Sequence, residues 1–538
     1  MSKTSPNLLQ TITNSTACLI LTLMFIFLTI CPQQTSQQAI ISKSSVIQST
    51  CIYSYILNNI YSCELQISES LNSMDVLEIT GIHLDNQTDA DVQIVNYQSI
   101  ATSYFNGEVL KKFKNLKVLN FYGSGLQAIN PNSFVVCSSL ETITGLFNQI
   151  TLLPSEMLKN CENLKAFRLE AYNIFNIPEN LFGMTKNLED FRLTTFNITS
   201  LPEKLLQNIK NLTIFDISGN KLTELHPNFL IAAVNLEEVD MSFNNFEDQR
   251  KLTYALNGHP NLKKLYLSYN SFKNFDFRFF AQFQMLETLK IGISYQNFTG
   301  ISWKSLPSSL LYLTVDGIDE ELGENSFDHL VNLKSLVLSG SGIEYLHKDT
   351  FKALTNLETM EIILTNIKFL HPELFMNLIN LSDLNLGYNR IEELPAGIFA
   401  PLVNLGIKSD FHGIKMNSNK IERLNAKSFG LHPHLRHLTF YQNIINEIEH
   451  GIFRKFNPNL FFVDLQSNKC IDGSFSGENL DDNEAFSLCH KNWNEIVPTT
   501  STTTEATTPG SAGNSFKKFE IFVVIFIGFV KVLMNFVD

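Results

Sequence analysis

Residues Leu381 to Phe399 read LSDLNLGYNRIEELPAGIF. Leu381, Leu384 and Leu386 are spaced by polar residues, Asn389 follows, and Ile391 resumes the apolar series. The segment around Leu384 and Leu386 alternates with period two, as a short strand with one buried face must. The spacing recurs along the chain. Aligned on the leucine of a repeated Asn-Leu pair, the first positions are Leu116, Leu140, Leu164, Leu188, Leu212, Leu236, Leu262, Leu286, Leu310, Leu333, Leu357, Leu381, Phe411, Leu435 and Leu460. The period is about 24 residues over roughly fifteen copies, so one repeated unit rather than several folds fills the middle of the chain.

Each column has a physical task. An asparagine at the ninth place (Asn148, Asn220, Asn244, Asn270, Asn389, Asn419, Asn443, Asn468) both donates and accepts hydrogen bonds, which suits a tight turn after a strand. Tyr172, Phe196, Ile318 and Thr365 replace it, and the ladder should be interrupted there. Ten residues beyond stand Phe134, Phe182, Phe280, Phe351, Phe375, Phe399, Phe429 and Phe453, a second column for the outer side. Prolines before it, at Pro154, Pro178, Pro202 and Pro395, predict an irregular outer segment. A single repeat cannot bury its own apolar face, so the coils must stack on one another.

The pattern fades at both ends, and this sets the predicted boundaries. Residues 39–113 read as an N-terminal cap with degenerate first repeats, 114–469 as the repeats, and 470–497 as a C-terminal cap. Cysteines fall into pairs close in sequence: Cys51 with Cys63, Cys137 with Cys161, Cys470 with Cys489. Cys137 and Cys161 share one repeat position. Equivalent positions on adjacent coils lie about 4.8 Å apart, within reach of a disulfide, while two buried thiols acting as small hydrophobes are the alternative.

Outside the repeats, residues 1–38 read as a signal peptide, with the apolar run LILTLMFIFLTI from Leu19 to Ile30; a signal anchor is the alternative. Residues 498–513 form a Thr-rich stalk suited to O-glycosylation. Ser511, Ala512 and Gly513, then a polar spacer and a hydrophobic tail within 514–538, follow the pattern of a glycosylphosphatidylinositol (GPI) signal. A short membrane anchor is the competing reading. Lys531 interrupts the tail, and a charge at helix centre costs roughly 2.5–3.5 kcal/mol on insertion, which favours the cleaved tail. N-glycosylation sequons at Asn86, Asn197, Asn211, Asn297 and Asn380 suit the secretory pathway.

The chain has 538 residues, 44% hydrophobic and 17% charged, with a formal charge of −13. The acidic balance offers no basic stripe for phosphate, which excludes nucleic acid as an expected partner. Searches for chemistry return no catalytic residue, cofactor loop or metal set. Gly340-Ser341-Gly342 lacks the third glycine of a dinucleotide loop, and His432, His434 and His437 straddle a repeat junction.

The pattern LxxLxLxxNxL, repeated from Leu116 to Cys470 over about two-thirds of the chain, resembles that of extracellular leucine-rich-repeat proteins. Toll-type receptor ectodomains and connectin- and chaoptin-type insect adhesion proteins are the relatives it suggests. The resemblance implies an α/β solenoid: a horseshoe with a parallel concave β-sheet and an irregular, 3-10 or short helical convex side. A departure from the Toll type is expected, with no signalling domain after the tail. In such folds the polar positions between strand leucines face outward, here Asn120, Thr144, Arg168, Arg192, Asp216, Asp240, Tyr266 and Lys290 in stacking order. That column reads either as a neutralising charge ladder, with Arg192 one strand from Asp216, or as ligand contact. Phe243, Tyr266, Tyr269 and Tyr312, flanked by Glu238 and Asp240, form the predicted contact group. The resemblance implies a membrane-attached cell-surface protein for adhesion or recognition, with an extracellular protein or glycoconjugate ligand and a membrane co-receptor as partners. A secreted or shed innate immune recognition protein is the alternative.

Overall fold

The computed structural model describes residues 45–494, apart from 57–58, 68–75, 100–103, 106, 124, 172, 195–196, 273–274, 293–297, 409–412, 458 and 478–479. The predicted leader, stalk and tail, with Ser511, Ala512 and Gly513, lie outside these residues, as do Asn297, Tyr172, Phe196 and Phe411.

Twenty strands share one sheet. From Ile94–Ser99 onward each coil contributes one strand, paired in parallel with the next as far as Phe462–Asp464. The leucine columns align across the stack. Phe167, Phe191, Phe215, Val239, Leu265, Leu289, Leu313, Leu336, Met360, Leu384, Ile414, Leu438 and Val463 are partners in register, and all are buried. Each coil thus buries its apolar face against its neighbours, giving one continuous core in a leucine-rich-repeat horseshoe.

The ninth-position asparagines are built into that stack. The Asn244 Nδ2 donates to Ile217 O at 2.9 Å on the preceding coil and to Met241 O at 3.2 Å on its own. Its Oδ1 accepts from Leu222 N at 3.0 Å, again one coil back. Asn220, Asn270, Asn389, Asn419, Asn443 and Asn468 repeat this arrangement. The ladder therefore runs in two stretches, broken where Ile318, fully buried, and Thr365 take the position. A second row escaped the sequence reading. The asparagine of the Asn-Leu pair also links coils: Asn163, Asn187, Asn332, Asn356, Asn380 and Asn404 each donate to a carbonyl of the preceding coil.

The convex side is made of turns, short 3-10 segments such as Phe277–Gln282, and one helix of two turns, Gln249–Leu256, capped by the Asp248 side chain. The phenylalanine column lies inside it, but the stack of rings is not phenylalanine alone. Trp303 takes one coil's place, 6.0 Å from Phe277 and 5.0 Å from Phe327, and Phe327 stacks on Phe351. Cys137 and Cys161 are disulfide-bonded on adjacent coils with Cα atoms 4.9 Å apart.

One repeat is corrected. The first position assigned to Phe411 is filled by Leu405, fully buried, and Gly406 N donates to Ser382 O as second positions do elsewhere. The coil then carries extra residues before its strand, Gly413–Lys415.

The caps close the sheet by different means. At the N-terminus Val46–Ile56 and Ile60–Ile67 form an antiparallel hairpin, with Val76–Thr80 parallel to its first strand and Ile94–Ser99 parallel to its second. Cys51 and Cys63 bridge the hairpin. At the C-terminus Ser474–Ser476 turns back antiparallel on Phe462–Asp464, and Cys470–Cys489 ties in the helix Ser487–Asn494.

Candidate recognition surface

The third and fifth positions of each coil alternate with the buried leucines and so line the concave face. Two registered columns meet in its centre. In one, Arg168, Arg192, Asp216, Asp240, Tyr266 and Lys290 follow each other on successive strands. In the other, Asp190, Ile214, Glu238, Lys264, Thr288 and Tyr312 do so.

The charge ladder does not neutralise itself as expected. Arg192 Nε donates to Asp190 Oδ1 at 2.9 Å, and Arg168 donates to Asp190 Oδ2 through Nε at 2.9 Å and Nη2 at 2.7 Å. Asp190 lies two residues before Arg192 on the same face of the same strand, which brings it closer than Asp216 across the ladder. Further along, Lys264 Nζ is 2.9 Å from Glu238 Oε2. Asp216 and Asp240 make no ion pair among the described residues. Each instead uses Oδ1 on its own turn, accepting from Ser218 N at 2.9 Å and Ser242 N at 2.8 Å. Burial, and then the facing Asp216, push the Asp240 carboxyl up to about 7; burial also raises Asp216.

Beside this pair stands an aromatic group. Phe243 and Tyr269 occupy equivalent eighth positions on neighbouring coils, their rings stacked 4.3 Å apart and 10° from parallel. Both have left-handed backbones, φ 54 and φ 57, where the preceding coil has Gly219 at φ 67. The same left-handed conformation recurs at this position in Leu364, Tyr388, Ser418, Gln442 and Ser467, so it belongs to the turn of the repeat. Tyr266 is half-buried, with Lys290 Nζ 5.4 Å from its ring centre. Burial first, then Glu238 and Asp240, push its phenol up to about 12, so it stays protonated at neutral pH and is able to donate. Tyr312 is exposed but stands two strands beyond Tyr266, apart from the stack.

Elsewhere the surface offers less. A shallow cavity of about 430 Å³ on one flank is lined by Leu311, Asn332, Lys334, Glu358, Asn380 and Lys408, and contains none of the predicted contact residues. Glu324, His347 and Asp349 place potential metal-ligand atoms within 4.8 Å of one another, but His347 Nδ1 already accepts from the Asp349 amide. His432 is buried in a core column with Nδ1 3.1 Å from Leu402 O, and desolvation lowers it to about 4, whereas the His437 ring packs on Phe462. The glycines near Ser341 serve coil packing, since a Cβ at Gly340 would stand 2.1 Å from Ile318 O. Of the sequons, Asn86, Asn211 and Asn380 are exposed, and Asn197 accepts from Lys221 at 2.9 Å.

Two family descriptions match the sequence. They are the BspA type Leucine rich repeat region, in six copies over residues 98–237, and Leucine rich repeat over residues 356–406. This is a leucine-rich-repeat protein. Among solved structures, its solenoid is similar to Toll in the Toll–Spatzle complex of Drosophila, at 16% identity and TM-score 0.51, covering 79% of this chain and 61% of that one. It is also similar to a leucine-rich-repeat protein of Leptospira interrogans, at 20% identity and TM-score 0.52, covering 70% of this chain and 96% of that one. The chain thus spans less than two thirds of the Toll chain it matches. No curated protein matches the sequence. These likenesses establish the fold, and no enzyme family is among them.

Proposed function

We propose that this leucine-rich-repeat protein is a cell-surface recognition protein, binding an extracellular protein through the concave face around Phe243, Tyr266 and Tyr269. The Phe243–Tyr269 stack carries the reading. Two large rings lie side by side at the eighth position, where other coils carry Gly219, Leu364, Ser418, Gln442 or Ser467 in the same left-handed turn, and together they form the apolar part of this surface. Exposed aromatic anchors are also the residue type that dominates interface energies. Glu238 and Asp240 flank them, and Tyr312 extends the surface toward the C-terminal coils. Attachment through a GPI anchor at Ser511, Ala512 or Gly513, with adhesion as the outcome, rests on the leader, the stalk and the Lys531-interrupted tail. In the matched complex, Toll is bound to Spatzle; protein recognition here is consistent with that use of the fold.

The test uses the full chain displayed on cells and screened against extracellular proteins offered as soluble multimers. Phe243→Gly with Tyr269→Gly should leave surface display intact and weaken capture of the bound partner at least tenfold, on the order expected for losing interface anchors. Undiminished capture by the double variant would refute the assignment of this face.

A further inference from the structure

The concave face carries a further instruction about its partner, which rests on the reading just proposed. Asp216 and Asp240 face each other in register on neighbouring strands, about 4.8 Å apart along the ladder. The nearby cations are engaged elsewhere, Arg192 with Asp190, Lys264 with Glu238 and Lys290 over the Tyr266 ring. The turn that each aspartate caps does not require a charge. Asn385 occupies the same fifth position in its coil, and its Oδ1 accepts from Gly387 N at 3.1 Å just as Asp240 accepts from Ser242. Two carboxylates with no ion pair of their own among the described residues therefore stand where a neutral amide serves the turn equally well. Independently, the next strand brings Tyr266 alongside Asp240, and the stack of exposed Phe243 on half-buried Tyr269 begins three residues beyond Asp240. Acid and aromatic surface are contiguous, with the arginine-clamped Asp190 on the N-terminal side.

We propose that the partner presents a basic segment in which a lysine or arginine seats between Asp216 and Asp240 while an adjacent aliphatic side chain packs on the Phe243–Tyr269 stack. A cation there is drawn by two carboxylates at once while the neighbouring aliphatic side chain covers the rings, so charge and apolar contact are recognised together. The incoming cation relieves the repulsion between two carboxyls held side by side on neighbouring strands.

Cells displaying the full chain would be titrated with two fluorescent peptides of equal length, one alternating lysine and leucine, the other glutamate and leucine, with signal from parental cells subtracted. The lysine peptide should bind and the glutamate peptide should not. Asp216→Asn with Asp240→Asn, which keeps both turn hydrogen bonds, should weaken the lysine peptide at least tenfold and flatten its salt dependence. Equal binding of both peptides would overturn the inference. So would undiminished binding to the asparagine variant; if Phe243→Gly with Tyr269→Gly then still lost binding, the aromatic face would stand without the charge rule. If neither double variant changed binding, both would fall.

Discussion

The coils from Leu212 to Phe272 and those from Leu116 to Thr194 solve one problem in two ways. In the first set, strands are three residues long, Ile214–Asp216, Glu238–Asp240 and Lys264–Tyr266, and each is ended by a buried asparagine. In the second, strands run to five, seven, six and five residues, Val118–Tyr122, Thr142–Asn148, Ala166–Ala171 and Asp190–Thr194. The middle coils follow the same rule, since Ser335–Ser339 and Thr359–Ile363 lack the asparagine and are five residues long. Thr142–Asn148 departs from it, seven residues long although Asn148 holds the ninth place, with its register shifted between Gly145 and Asn148. A backbone leaving a sheet must have its amides and carbonyls satisfied. Either the side-chain amide meets them and the chain turns at once through a left-handed residue, or the strand pairs for longer. The early turn is what places Phe243 and Tyr269 at the rim of the concave face.

This comparison breaks most readily at the asparagines. Asn244→Ala would orphan Leu222 N, costing about 2 kcal/mol, while the carbonyls of Ile217 and Met241 keep their second donors, Asn220 and Asn270. Asn120→Ala, in a long-strand coil, removes one side-chain bond to Asn96 and should cost under about 1 kcal/mol. Denaturant unfolding of the two variants measures the difference, and equal losses would remove the distinction between the two kinds of coil.

An effect with a defined pH window is expected at Asp240. Its carboxyl is raised from 3.8 to about 7 in the folded state, so the folded chain holds a proton that the unfolded chain releases. Stability from this group is complete below about pH 4 and is lost as the pH rises through about 7. Asp240→Asn should therefore melt higher than the wild type at pH 8, with the gap closing on acidification. A constant or inverted gap would contradict the burial of this carboxylate.

The smallest effect is expected at the rim. Phe243→Gly loses a ring stack but relaxes a left-handed backbone, and the two should offset to within about 1 kcal/mol. A loss of several kcal/mol would make the stack a structural element rather than a recognition one.

Reading by period found the fold because the evidence is redundant. Leu265, Leu289 and Leu313 repeat one another's message, and the error at Phe411 did not disturb the rest. It failed where a local event replaced the period, as at the insertion after Leu405, and where residue type varied within a column, as with Trp303 among phenylalanines. The site was legible only in part. Alternation put Asp240 and Tyr266 on one face, yet Asp190 went unremarked although it stands two residues before Arg192 on that face.

From the sequence alone come the repeat, its period, the inward leucines and the asparagines, because each depends on spacing along one chain and is stated many times. Which cations are spent and which described carboxylates are left without an ion pair was decided only in three dimensions. An ion pair is chosen by ångström-scale distance between side chains, and Arg192 had an acid within reach both along its strand and across the sheet. The same holds for the Phe243–Tyr269 stack, since whether two rings on neighbouring coils meet depends on the turn that the buried asparagines impose on both.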